Sequence, residues 1–142
     1  MAITDEVRLT VPATPEFLRL ARVTAAGLAS RLGFSYDEVE DLRLAIDELC
    51  FGLTGTDGRD GTVGVRYILG DDTLVIEGEA RFSGHPGAGP PHTDAGERAG
   101  LSELSSVILD ALVDEHRFDR GAQGPRFRLV KRRQAAAAPD HG

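Results

Sequence analysis

A single cysteine, Cys50, leaves this chain without an intrachain disulfide and without a cysteine-rich zinc site. That scarcity fits a reducing compartment. No apolar run approaches the roughly 20 residues needed to span a bilayer. The start, Met1-Ala2-Ile3 followed by Asp5 and Glu6, has neither the basic residues nor the apolar stretch of a signal peptide, so the expectation is a cytoplasmic protein with no membrane partner. Positive charge is also short. Lys and Arg number 16 against 23 Asp and Glu, a formal net charge of −7, and affinity built on phosphate neutralisation needs the opposite sign. Direct nucleic-acid binding is not expected. The basic residues that remain cluster late, at Arg126, Arg128, Lys131, Arg132 and Arg133. They read as a solvated strand edge and tail, or else as a local patch for an anion or a partner.

Metal and nucleophile chemistry find little support. His85, His92, His116 and His141 have no ligand spacing and read as surface or loop residues, and no metal site is expected. Cys50 falls on an apolar helical stripe and reads as a small hydrophobe rather than a reactive thiol.

What is present is the composition of a folding domain. Of the 142 residues, 41% are hydrophobic and 27% charged, close to the globular average, which implies one domain over residues 1–134 and a disordered tail at 135–142. Val7, Leu9 and Val11 alternate with Arg8 and Thr10 as in a strand with one buried face. Thr14-Pro15-Glu16 then opens a helix whose stripe is Phe17, Leu20, Ala21, Thr24, Leu28 and Leu32, ended by Gly33. Ser35-Tyr36-Asp37-Glu38 reads as a capping box starting a second helix, with Val39, Leu42, Ile46, Leu49, Cys50 and Leu53 inward. Asp41, Arg43, Asp47 and Glu48 lie on or beside its flank. Strands over 63–69 and 73–79 join through Gly70-Asp71-Asp72 as a hairpin. Residues 83–100 are too rich in glycine and proline for a regular element, and a connector that long is either functional or loosely held. A third helix over 101–112, capped by Ser102, and a short strand over 126–130 complete the order. Such elements pack best as a two-layer α/β sandwich, a mainly antiparallel sheet with helices on one face.

The run Asp41-Leu42-Arg43-Leu44-Ala45-Ile46-Asp47-Glu48-Leu49-Cys50 resembles the N-box helix of the GHKL ATPase superfamily, in its bacterial anti-sigma-factor serine-kinase branch. The element order and the ending Arg126-Phe127-Arg128-Leu129-Val130-Lys131 extend the resemblance to about residues 5–133. It implies a histidine-kinase-like ATPase fold. In that family the N-box glutamate is the general base, and an asparagine four residues later holds the Mg²⁺ of the nucleotide. Glu48 matches the glutamate, though it reads equally as a solvated flank carboxylate. The asparagine position falls on Gly52, which has no ligating atom and reads otherwise as a helix cap. The family's next box, Asp-x-Gly-x-Gly, is matched to Glu77-Gly78-Glu79-Ala80-Arg81, with Glu77 for the aspartate and Glu79 and Arg81 for the glycines. The third, a glycine-rich phosphate-binding lid, is matched to Gly96 through Gly100 with altered spacing.

The resemblance therefore implies a regulator that captures a sigma factor and is countered by an anti-anti-sigma protein of the STAS type, with its kinase activity weakened or lost. No cofactor is expected unless compensating residues retain ATP and Mg²⁺. Arg19 and Arg22 on the first helix are the candidate partner-binding residues, and a homodimer is consistent with the family. The competing readings are a working ATP-dependent serine kinase acting on the anti-anti-sigma protein, with Glu48 as base, and an unrelated ligand- or protein-binding domain gated by the 83–100 loop.

Overall fold

The computed structural model describes residues 5–55, 58–82 and 101–134. The elements are β1 (Asp5–Pro12), α1 (Pro15–Arg31), α2 (Tyr36–Thr54), β2 (Gly61–Leu69), β3 (Thr73–Phe82), α3 (Glu103–Leu112), β4 (Glu115–Arg120) and β5 (Pro125–Arg132). The strands form one sheet in the order β1-β2-β3-β5-β4, antiparallel at every pairing. Val63, Val65, Tyr67 and Leu69 of β2 and Leu74, Ile76 and Ala80 of β3 point to the layer of helices, while the residues between them face the open side. The expected two-layer sandwich with helices on one face is the architecture observed. The 83–100 loop and the 135–142 tail lie outside the described residues.

Local chemistry explains where the helices begin and end. Pro15 supplies a preset φ at the first turn of α1. Gly33, at φ +87°, ends it in a Schellman motif: its N–H donates to the Ser30 carbonyl, and the Phe34 N–H reaches back to Ala29, both at 3.0 Å. The capping box is present in full, with Glu38 N–H donating to Ser35 Oγ at 3.1 Å and Ser35 N–H to Glu38 Oε1 at 2.8 Å.

Four features differ from expectation. First, α1 is turned by about one residue: Leu18, Ala21, Ala25 and Ala29 are buried, whereas Phe17 and Leu20 are exposed. Small alanines let the helix backbone approach its neighbours, and packing then outweighs the larger side chains. Second, β4 is a strand that periodicity did not reveal. It makes β5 an interior strand, so the late basic run is not a sheet edge. Third, Lys131 is 9% exposed; its Nζ donates to the Leu112 carbonyl at 2.6 Å and lies 3.6 Å from Asp41. It is a structural cation rather than a solvated one. Fourth, His116 belongs to β4 and its Nε2 lies 2.6 Å from an Asp110 carboxylate oxygen on α3.

The core between sheet and helices contains Leu42, Ile46, Leu49 and Leu53 of α2 against Tyr67, Leu74, Ile76 and Leu129 of the sheet, all fully buried. Each aliphatic side chain so buried stabilises the fold by about 1.5–3 kcal/mol relative to exposure. The Tyr67 hydroxyl meets its own need by donating to the Ala21 carbonyl at 2.9 Å, and burial raises its pKa.

Candidate functional site

The residues matched to a nucleotide pocket fall on two opposite sides of the sheet. Glu48 and Gly52 are one helical turn apart on α2, on the side that meets α3 and β4. Gly52 is buried inside the helix, which continues to Thr54, with Gly55 as the cap; the reading of Gly52 as a cap is thus corrected. A β-carbon built at Gly52 would lie 3.0 Å from Phe118 Cε2 and 3.1 Å from Leu101 Cδ2. The space beside this turn of α2 is already taken by an aromatic ring from β4 and a leucine preceding α3. Glu48 is half-buried, and its Oε1 accepts a hydrogen bond from Ser105 Oγ of α3 at 3.0 Å.

Glu77, Glu79 and Arg81 alternate along β3 on the open face, away from the helices. They line a shallow basin of about 640 Å³ together with Arg8, Arg66 and Arg126. The structure does not bring them together with Glu48 and Gly52. At the same level the helix-facing positions of β3 are Gly78 and Ala80, neither of which carries an acid. Gly78 is itself covered: a β-carbon there would sit 2.4 Å from Phe127 Cε2. Gly96 and Gly100 lie outside the described residues.

Magnesium needs several hard oxygen ligands, commonly carboxylates together with nucleotide phosphates. Among the described residues no group of three or more His, Cys, Asp or Glu side chains converges on one point. Beside Glu48 stands the Ser105 hydroxyl, and beside Gly52 stand the Phe118 ring and the Leu101 side chain. At this turn of α2 position 52 therefore offers no side-chain ligand to a magnesium ion and no room for one, and no chemical step is derived through a nucleotide.

Arg19 is exposed on α1, on the same side as Leu20 and Val23, which are 46% and 60% exposed. Arg22 stands at the edge of that side, where its Nη1 donates to Asp47 Oδ2 of α2 at 2.8 Å, while its buried Nε has no partner among the described residues. The two arginines thus flank an exposed strip, one free to reach outward and one tied to α2. Cys50 is buried, and burial followed by the nearby charge of Asp47 pushes its thiol up to about 12. Sequence reasoning missed Ser105, Leu101 and Phe118, the residues that occupy the N-box side of α2. Only Phe118, the one large apolar residue in Glu115–Arg120, left any signal.

A five-stranded antiparallel sheet covered on one face by three helices is the frame of a histidine-kinase-like ATPase. The family profile described as "Histidine kinase-like ATPase domain" matches residues 11–131, and the chain belongs to that family. Its similarity is to serine-protein kinase RsbW. The protein of that name from Bacillus pumilus is 34% identical over 123 residues, covering 78% of this chain and 76% of the relative, and the one from Bacillus subtilis is 32% identical over 123 residues, covering 80% and 77%. A shorter match, 38% identical over 77 residues, covers 51% of this chain and 48% of the RsbW of Listeria monocytogenes. Family membership removes the reading of the chain as a domain unrelated to this family; the 83–100 loop, the gate in that reading, lies outside the described residues. Among the described residues no helix is long and apolar enough to cross a membrane.

Proposed function

We propose that this protein is an anti-sigma regulator that works by binding, with the serine-kinase activity of its relatives weakened or lost. The observation that carries this reading is the filled space at Gly52, where Phe118 and Leu101 stand at the position that the family resemblance assigns to a magnesium ligand. Capture of a protein needs only a surface. The exposed strip of Phe17, Leu20 and Val23 on α1, with Arg19 beside it, offers apolar area and positive charge together. In this reading a sigma factor docks there in the cytoplasm, a STAS-type anti-anti-sigma protein displaces it, and a homodimer brings two such strips side by side.

The test has two arms. Calorimetry with Mg²⁺ and ATP gives no heat up to millimolar nucleotide, and a purified sigma factor co-elutes with the protein in nucleotide-free buffer. Arg19→Glu abolishes co-elution without lowering the melting temperature. Micromolar ATP binding, or transfer of labelled phosphate to a STAS-type protein, favours the alternative of an active kinase using Glu48. Failure of every sigma factor of the parent bacterium to co-elute rejects the binding reading itself.

A further inference from the structure

The open face of the sheet carries a feature unrelated to α1 or α2. Strand register puts Arg8, Arg66, Glu77, Arg128 and Arg117 in a single row across all five strands. Two of the four neighbouring pairs in that row, Arg8 with Arg66 and Arg128 with Arg117, are arginines directly opposite one another. Like charges directly opposite on one face destabilise a sheet. Glu77 sits centrally, with its oxygens 3.3 Å from Arg66 Nη1 and 3.5 Å from Arg128 Nε. Glu6 relieves Arg8 and Arg66 at one end, and Glu115 stands 3.9 Å from Arg128 at the other. Arg117 makes no ion pair with a described residue. The surplus of positive charge is conspicuous in a chain whose net charge is −7.

The shape of this surplus limits its ligand. With strands about 4.8 Å apart, the row is about 19 Å long and one residue wide. Two residues away along the strands, about 7 Å, it is bordered by Glu6 and Glu115 on one side and on the other by Glu79 and Asp119, with Arg126 between them and paired to Asp119. A nucleic-acid duplex, whose backbones stand about 12 Å apart across the major groove, would bring phosphates over those acids. A single extended chain of carboxylates would not. Guanidinium groups match carboxylates in bidentate geometry, and four of them, two on either side of Glu77, give such a chain two pairs of anchoring points.

We propose that this row is a docking strip for an extended acidic segment of a partner protein, laid across the strands. The strip and α1 are on opposite faces, so its failure and the failure of sigma capture are read separately. The probe is a fluorescein-labelled hexaglutamate peptide, followed by anisotropy against the full chain. Saturable binding is expected, weakening steeply as salt rises because exposed charges are screened within about 10 Å at 0.1 M. Arg117→Gln and Arg8→Gln each weaken it about fivefold or more, whereas Arg31→Gln at the far end of α1 leaves it unchanged. Melting temperatures of the variants within about 2 °C of the parent protein keep the comparison to binding alone. No saturation at millimolar peptide, or binding by both strip variants as tight as that of the parent protein, overturns the proposal. So does binding of inorganic tripolyphosphate in the absence of peptide binding, which would assign the strip to phosphate chains instead.

Discussion

The ring of Phe118 lies against the bare backbone of Gly52, with its Cε2 3.0 Å from the point where a β-carbon would stand. One strand residue and one helix residue thus decide what the Glu48–Gly52 turn of α2 holds. A side chain placed at Gly52 must first displace an aromatic ring.

Gly52→Asn is therefore expected to destabilise the protein rather than restore a metal ligand. Overpacking a filled site costs about 1–3 kcal/mol, which outweighs the gain of up to about 1 kcal/mol from removing a glycine inside a helix. Thermal unfolding of the variant should show a lower midpoint, with no response to Mg²⁺ and ATP. Combining it with Phe118→Ala opens the space. Only that double variant has room for an amide oxygen beside Glu48, and calorimetry on the pair separates a steric block from a missing ligand.

Ser105→Ala tests whether Glu48 is a structural tie. The hydroxyl of Ser105 donates to Glu48 Oε1, so removing it costs about 1–3 kcal/mol for a bond to a charged group. Glu48→Gln removes the charge but keeps an acceptor, and should cost less. In a double-mutant cycle the two effects are non-additive if the bond holds α3 to α2. Additive losses, with phosphate transfer abolished by Glu48→Gln alone, would mean that the carboxylate acts as a base.

Much of this fold was legible because its signals are local. Pro15, Gly33, the Ser35 and Glu38 pair, and Gly70-Asp71-Asp72 each act within a few residues, and each marks an observed boundary. The strand β4 was hidden. Its helix-facing side chains are His116, Phe118 and Arg120, so one apolar residue had to announce a whole edge strand. The orientation of α1 was misread because alanines contribute little hydrophobic weight yet allow the closest packing. At the candidate site, the lack of a side chain at Gly52 was plain in the sequence. What replaces it was not, because Leu101 and Phe118 come from distant parts of the chain and meet only in the fold. The separation of Glu77 from Glu48 followed from strand parity, which residue matching alone does not test.

Acid should loosen the C-terminal end of β5 from α2. Glu38 is 9% exposed, and burial alone would raise its pKa. Hydrogen bonds to its carboxylate from the backbone N–H groups of Gln134 and Ser35 and from the Ser35 side chain, with the nearby charge of Lys131, outweigh that and hold it below its ordinary 4.5. A depressed folded-state pKa contributes stability that is present above the unfolded value and lost as pH falls through the folded one. The melting temperature should therefore drop as pH falls below about 4.5. Glu38→Gln should flatten that part of the curve while lowering stability at pH 7 by about 0.5–2 kcal/mol, the range for a helix cap. Matching pH profiles for the two proteins would place the sensitivity elsewhere.

Cys50 supplies a built-in reporter of opening. The thiol is buried and its pKa is pushed up to about 12, so thiolate is nearly absent at neutral pH in the folded protein. Alkylation by iodoacetamide should be slow in native buffer and fast in denaturant, with the native rate set by how often α2 leaves the sheet. Glu48 and Gly52 lie on the same helix, so anything seated against them lowers the opening rate. A partner docked on α1, as proposed above, does so through contacts that α1 makes with α2, among them the Arg22–Asp47 ion pair. Labelling in the presence of partner, with and without Asp47→Asn, then tells whether the docked surface is coupled to the helix that carries Glu48 and Gly52. Equal protection in both proteins would mean that the partner touches α2 directly.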